Sequence, residues 1–275
     1  MIVTGIQLLA KAKAGGYAVP ALNVDNLESV LGVLRAVEET GKSVIIQTIP
    51  RTLAYGGTGT YIAMIRALYK GGADICVHLD HGGDEEICKK CIQEGYTSVM
   101  IDGSALPYEE NVKLTSRVAA NAHNSGVSVE GELGTIGGKE ETSGKVSYTD
   151  PYEARDFAQS TKVDSLAVGV GTAHGVYKGT PHIAVERIEE IASLTPVPLV
   201  LHGASGLSDE VVRACIRAGI CKINFATQLR QAFTAGLRRA LAEDEKVFDP
   251  KAYMPQAIEE VKNAAIGIIK LCYGE

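Results

Sequence analysis

No run of basic residues marks this chain. Its 27 lysines and arginines are outnumbered by 33 aspartates and glutamates, for a formal charge of -6. Nucleic acid is therefore not an expected partner, and any anionic ligand must be held by local groups. Apolar stretches do not exceed strand length and Met1-Ile2-Val3-Thr4-Gly5 carries no charged leader, so neither a membrane span nor a signal peptide is expected, and the expected location is cytoplasmic. A disulfide framework is also lacking. Of six cysteines, Cys76, Cys215, Cys221 and Cys272 fall inside apolar strand or helix patterns, as buried reduced thiols do. Cys88 and Cys91 form a lone CxxC beside Ile87 and Ile92, which reads as a core-facing stripe, and no second CxxC completes a zinc site.

What is present is alternation. At 275 residues with 45% hydrophobic and 22% charged content, the chain has the make-up of an ordinary globular enzyme within the length range of one α/β barrel. Strand-like runs are read at 17–24, 43–48, 73–81, 97–102, 127–133, 163–171, 197–202 and 220–225. Amphipathic helical runs follow at 27–40, 60–70, 84–94, 108–124, from 150 onward, 183–194, 209–218 and 227–243, and a further helix runs near 255–271. Asp84 and Ser208 are expected helix caps, and Asp150-Pro151-Tyr152-Glu153 joins a cap, a proline at the first helical position and a glutamate three residues after the cap. Eight strand–helix units in one domain, 1–275, without a linker predict a (β/α)₈ TIM barrel with an additional C-terminal helix. A doubly wound sheet would need a switch point that the sequence does not mark.

Three of the strands end in the same way. Val77-His78-Leu79-Asp80-His81-Gly82, Gly171-Thr172-Ala173-His174-Gly175 and Leu201-His202-Gly203 each deliver a histidine into a glycine turn. The carboxyl ends of barrel strands converge, so His81, His174 and His202 can meet although 93 and 28 residues separate them. Three neutral imidazoles with a fourth position left for substrate are a catalytic metal set, most simply Zn²⁺. A lone histidine at a strand end is more often just a hydrogen-bonded core residue; three at matching positions favour the metal. His78 is expected to be such a satisfied core histidine, and His123 and His182 to lie at the surface. Asp80 stands next to His81, where it can exchange a proton with substrate or orient a histidine. Asp102 and Glu132, also at strand ends, can support the ligands or hold a second divalent position. The long polar loop 134–148 carries Glu140 and Glu141, one of which can enter the site on closure. Gly175, Gly203-Ala204-Ser205-Gly206 and Asn224-Phe225-Ala226-Thr227 offer backbone NH groups to a phosphate at the turns after strands six to eight, with Lys178 adding charge. Asn23, near the end of the first strand, is a further candidate substrate contact.

Taken together, His-Leu-Asp-His at 78–81, Gly-Thr-Ala-His-Gly at 171–175, His-Gly-Ala-Ser-Gly at 202–206 and Asn-Phe-Ala-Thr at 224–227 resemble the class II, metal-dependent ketose-bisphosphate aldolases, nearest to the tagatose- and fructose-bisphosphate branch. The resemblance implies zinc on His81, His174 and His202, with Asp80 exchanging the proton of the C4 oxygen and Glu140 that of the dihydroxyacetone phosphate carbon. It implies supporting or accessory metal roles for Asp102 and Glu132. Gly175, Lys178, Gly203, Ser205, Asn224 and Thr227 match the site of the dihydroxyacetone phosphate half, with Ala204, Phe225 and Ala226 inside the same motifs and a monovalent cation, Na⁺ or K⁺, as a common helper. Family members are commonly homodimers or homotetramers acting on sugar phosphates. Departures gather at the other half of the substrate. Ile49 stands where many relatives carry serine, Glu141 replaces a usual aspartate, and Lys251 stands where an arginine usually reaches the distal phosphate, a point charge in place of a fork. Ala226 agrees with the tagatose branch. Rival readings are a Schiff-base aldolase using Lys222, a zinc hydrolase, an aldolase for another ketose 1-phosphate, and a noncatalytic sugar-phosphate-binding barrel.

Overall fold

The structure is a computed structural model and describes residues 1–137, 147–175, 177, 179 and 181–275. Eight strands close a parallel ring in chain order: β1 (Val19–Asn23), β2 (Val44–Thr48), β3 (Ile75–Gly82), β4 (Ser98–Ile101), β5 (Ser128–Leu133), β6 (Ser165–Val168), β7 (Leu199–Leu201) and β8 (Ile220–Phe225). β8 pairs back onto β1 through Val19↔Lys222 and Ala21↔Asn224, so no edge is left exposed. Outside the ring lie α1 (Gly5–Gly15), α2 (Leu27–Thr40), α3 (Pro50–Gly56), α4 (Thr58–Leu68), α5 (Glu85–Glu94), α6 (Tyr108–Asn124), α7 (Pro151–Thr161), α8 (Val185–Leu194), α9 (Asp209–Arg217), α10 (Thr227–Glu243) and α11 (Pro250–Tyr273). The fold is the expected (β/α)₈ barrel with an additional C-terminal helix.

The caps stand where the sequence puts them. Asp84 accepts from Ile87 N, Asp150 from Tyr152 N and Glu153 N, and Ser208 from Val211 N, each satisfying a helix-end NH and contributing about 1 kcal/mol. α11 starts at Pro250, not near Pro255 as expected, because Asp249 caps it and Pro250 fills the first position. Two helices were not expected. α3 is a single short helix with Pro50 at its start, and α1 precedes the first strand. α1 buries Leu8, Leu9 and Ala12 against Val19, Ala21, Ile45 and Cys76 at the N-terminal end of the strands, and Gly5 N donates to Ser128 Oγ at 2.9 Å.

Inside the ring the residues change character along the strands. Below, next to α1, they are apolar. Above, Asn23, Gln47, His78, Asp80, Glu130, Glu132, His202, Lys222 and Asn224 are all buried. Charge this deep is costly unless every group is paired, so the upper half of the barrel is held by a polar network. The larger hydrophobic core lies between the strands and the outer helices.

Candidate active site

β3 solves a geometric problem. Successive strand residues face opposite sides, yet Asp80 and His81 must both reach the interior. The register against β4 steps from Leu79↔Val99 to Gly82↔Ile101, which places one extra residue in β3, a bulge. His81 takes the left-handed conformation there, with φ 52°. For a non-glycine residue this costs about 1–3 kcal/mol and is characteristic of functional sites.

His81, His174 and His202 offer nitrogens that all lie within 4.8 Å of one another. His81 stacks edge-on to His174 at 4.9 Å between ring centroids and to His202 at 4.6 Å. His81 Nδ1 lies 2.9 Å from Asp102 Oδ2, and His202 Nε2 lies 2.8 Å from Glu130 Oε1. A carboxylate only accepts, so each of these ring nitrogens donates and carries the proton. Their other nitrogens, His81 Nε2 and His202 Nδ1, then face each other at 2.9 Å with lone pairs converging. Burial, reinforced by neighbouring His81, pushes His202 well below the usual imidazole range, the neutral state that a metal ligand needs. The donor set therefore fits a divalent metal of the zinc class. Asp102 is itself fixed by Ser104 N at 3.1 Å and Ser104 Oγ at 2.6 Å. Glu132 Oε2 lies 3.7 Å from His81 Nδ1 and 4.0 Å from His202 Nδ1. With His81, Asp102 and Glu132 form a second converging group.

Asp80 is held by three amides. Asn23 Nδ2 and Gln47 Nε2 donate to its Oδ2 at 3.0 and 3.1 Å, and Asn224 Nδ2 donates to Oδ1 at 3.0 Å. Burial raises its pKa, but His81, His202, Lys222 and the Asn23 hydrogen bond outweigh it and bring it down to about 2. Asp80 is therefore a carboxylate at neutral pH, aimed and ready to accept.

The turns that carry the histidines are tied to each other. Tyr177 OH donates to Gly203 O at 2.7 Å and accepts from Ala173 N at 2.9 Å. Gly203 has φ 68°, and a Cβ there would sit 2.5 Å from Ala173 O, so the turn after His202 admits only glycine. His174 N donates to Gly137 O at 2.8 Å and Gly137 N to Thr172 O at 3.0 Å, docking the start of the long loop onto the third histidine.

A cavity of about 440 Å³ opens over these groups, lined by Asn23, Asp80, His81, Asp102, His174, Gly175, Gly203, Ser205, Asn224, Ala226 and Thr227, and on its far side by Ile49, Pro50, Arg51 and Arg230. Ala204 and Phe225 are buried and line an adjoining cavity of about 540 Å³ that shares Gly175, Ser205 and Thr227. Ser205 Oγ accepts from Ala226 N at 3.3 Å, joining the turns after β7 and β8. Lys251 does not line the catalytic cavity; its Nζ bonds Asp249 Oδ1 at 2.8 Å and the side chain is 87% exposed. Glu140, Glu141 and Lys178 lie outside the described residues.

Glu130 was not among the sequence-derived candidates. Its Oε1 meets His202 and its Oε2 meets Lys222 Nζ at 2.8 Å, with both side chains 1% exposed. Lys222 is thus committed to an ion pair beneath the cavity, which removes the support for a Schiff-base role. The signal was available, because Ser128, Glu130 and Glu132 alternate along β5 and must share its inner face. His78 is a core histidine as expected, with Nδ1 2.7 Å from Ser98 Oγ; His182 is exposed, and His123 is exposed and bonds Asp164 Oδ2 at 2.8 Å.

Residues 3–275 match the family described as fructose-bisphosphate aldolase class-II. Among solved structures, the YdjI aldolase from Escherichia coli K12 is 33% identical, with TM-score 0.88 over 99% of this chain and 97% of that one. A Coccidioides immitis protein is 27% identical, with TM-score 0.88 over 98% of this chain and 95% of its own. The fructose-bisphosphate aldolase of Campylobacter jejuni, at 21% identity and TM-score 0.86, covers 98% of this chain and 95% of its own and shares the fold.

Proposed function

For a chain that belongs to the class II fructose-bisphosphate aldolase family, and is thus a carbon–carbon lyase, we propose metal-dependent, reversible cleavage of a ketose 1,6-bisphosphate of the tagatose or fructose type. The products are dihydroxyacetone phosphate and an aldehyde such as glyceraldehyde 3-phosphate. The observation that carries this reading is the convergence of three imidazoles beside one amide-held carboxylate, Asp80.

His81, His174 and His202 would hold the metal, Zn²⁺ for this donor set, with Asp102 and Glu132 offering a second divalent position beside His81. When bound, a divalent metal polarises the substrate ketone and disperses the negative charge that cleavage leaves on the dihydroxyacetone phosphate half. Asp80 accepts the C4 hydroxyl proton as the C3–C4 bond breaks. Its three amide donors keep it oriented and ionised, so no reorganisation is needed at that moment. Glu140 returns a proton to the dihydroxyacetone phosphate carbon. The turns with Gly175, Gly203, Ser205, Asn224 and Thr227 bind the phosphate of that half through backbone NH groups, where Na⁺ or K⁺ and Lys178 assist. The enzyme works in the cytoplasm as a homodimer or homotetramer.

The test is release of dihydroxyacetone phosphate from tagatose 1,6-bisphosphate and from fructose 1,6-bisphosphate, with EDTA and with restored zinc. Chelator-sensitive release supports the reading, and the ratio of rates assigns the sugar. Release that EDTA leaves unchanged refutes the metal role; no release from either sugar refutes both named substrates.

A further inference from the structure

The left-handed backbone at His81 has specific supports. A non-glycine residue at φ 52° persists only where its surroundings over-determine it, and β4 with its following turn presses on this bulge at several points. Asp102 N donates to Gly82 O at 2.9 Å, just past the bulge, and Asp102 Oδ2 accepts from the His81 ring at 2.9 Å. Met100 O stands so near Gly82 that a Cβ there would lie 2.5 Å from it, which keeps the bulge flush against β4. The Met100 side chain completes the set, for His81 N donates to Met100 Sδ at 3.4 Å.

This last contact differs from the others. Asp102 and Met100 O act on Gly82 or on the imidazole, whereas the thioether engages the amide of His81 itself, where the register slips. Met100 is fully buried. It lies two residues after Ser98, whose hydroxyl meets His78 inside the ring, so alternation puts its side chain on the same inner face. Its neighbour across the ladder is Glu130, the carboxylate that meets His202. Met100 therefore stands between the supports of two candidate ligands. A buried methionine ordinarily fills space, but here its sulfur also accepts, a capacity that is weak and directional. Without the bulge, simple alternation would turn Asp80 and His81 to opposite sides of β3.

We propose that Met100 is a positioning residue of the site: its thioether, accepting the His81 amide, fixes the bulge that turns Asp80 and His81 into the barrel together. This rests on the metal-dependent aldolase reading above. Met100 does not line the cavity and acts through the geometry of the two residues that do.

The experiment compares the zinc-loaded full chain in four forms: wild type, Met100→Leu, and wild type with every methionine replaced by selenomethionine or by norleucine. Norleucine keeps the shape and lacks the acceptor, whereas selenomethionine keeps both. In Met100→Leu and in the norleucine protein, hydrogen exchange at the His81 amide quickens about fivefold or more. The reference is the amide of Leu166 on β6, which donates to Pro198 O at 3.0 Å and stays unchanged. Zinc affinity by chelator competition falls about tenfold. The kcat for release of dihydroxyacetone phosphate falls about tenfold or more, with KM within about twofold. Selenomethionine protein matches wild type. Exchange that rises equally at His81 and Leu166, or a leucine effect that norleucine does not reproduce, overturns the proposal, because packing alone then accounts for the loss. Unchanged zinc affinity in both proteins also overturns it. So does a norleucine effect that persists undiminished in Met100→Leu, since it belongs to another methionine. Wild type that binds no zinc, or releases nothing from either sugar, refutes the reading beneath the proposal, and exchange at His81 still decides the role of Met100.

Discussion

Glu130 and His202 meet across the barrel interior at 2.8 Å, and the same carboxylate meets Lys222 at 2.8 Å through its other oxygen. One side chain thereby sets the tautomer of a candidate ligand and neutralises the only lysine in the polar layer described above. Glu130→Gln is expected to weaken zinc binding about 10- to 100-fold and to lower stability by about 3–5 kcal/mol, since Lys222 is left buried and unpaired. Chelator competition measures the first and thermal unfolding the second. Adding Lys222→Met should restore much of the stability and none of the zinc affinity.

Asp80→Asn keeps the shape but removes the proposed proton acceptor and one of the two oxygens that accept from Asn23, Gln47 and Asn224. Cleavage should fall by about a hundredfold or more with zinc content unchanged by metal analysis. Retention of turnover within a few-fold of wild type would remove Asp80 from the proposed mechanism.

Gly203→Ala tests the turn behind His202. Its Cβ would sit 2.5 Å from Ala173 O at φ 68°, so a loss of about 2 kcal/mol or more is expected in denaturant unfolding. At Gly175, also with positive φ but with nothing within 4 Å of an added Cβ, alanine should cost about 1 kcal/mol.

Removal of metal should destabilise the fold as well as silence it. Three buried or half-buried imidazoles gather their lone pairs at one point, and a metal that binds only the folded chain adds stability by mass action. EDTA should lower the melting temperature and zinc should restore it in proportion to its logarithmic excess. An identical melting curve in both states would argue against these histidines as a binding site.

Much of this was legible because barrel architecture repeats. The helix at 108–124 and the strand at 220–225 have the bounds read from periodicity, and the three histidines that share a turn grammar do converge. The departures have local causes. α1 lies before the first repeat, so alternation says nothing of it, although Thr4 N to Gln7 Oε1 at 3.0 Å is a cap that Thr4 and Gln7 spell out. Glu130 lies outside the strand-end pattern, because the partner of a strand-end histidine sits one layer deeper in the barrel. Tyr177 acts through its hydroxyl on two backbone groups, 4 and 26 residues away, a relationship that no residue pattern encodes. The bulge at His81 leaves no mark in composition, since an ordinary strand would carry the same letters.

That bulge also decides which separations in the site can fluctuate. Asp80 and His81 are consecutive, so the distance between the proposed proton acceptor and the proposed metal ligand is governed by bond lengths and one backbone conformation. Breathing of the ring carries the two together as a rigid pair. His174 and His202 ride on other strands, and their distance to Asp80 changes with every shear of the sheet. In the proposed mechanism, the geometry between Asp80 and His81 is thus insulated from shear of the sheet.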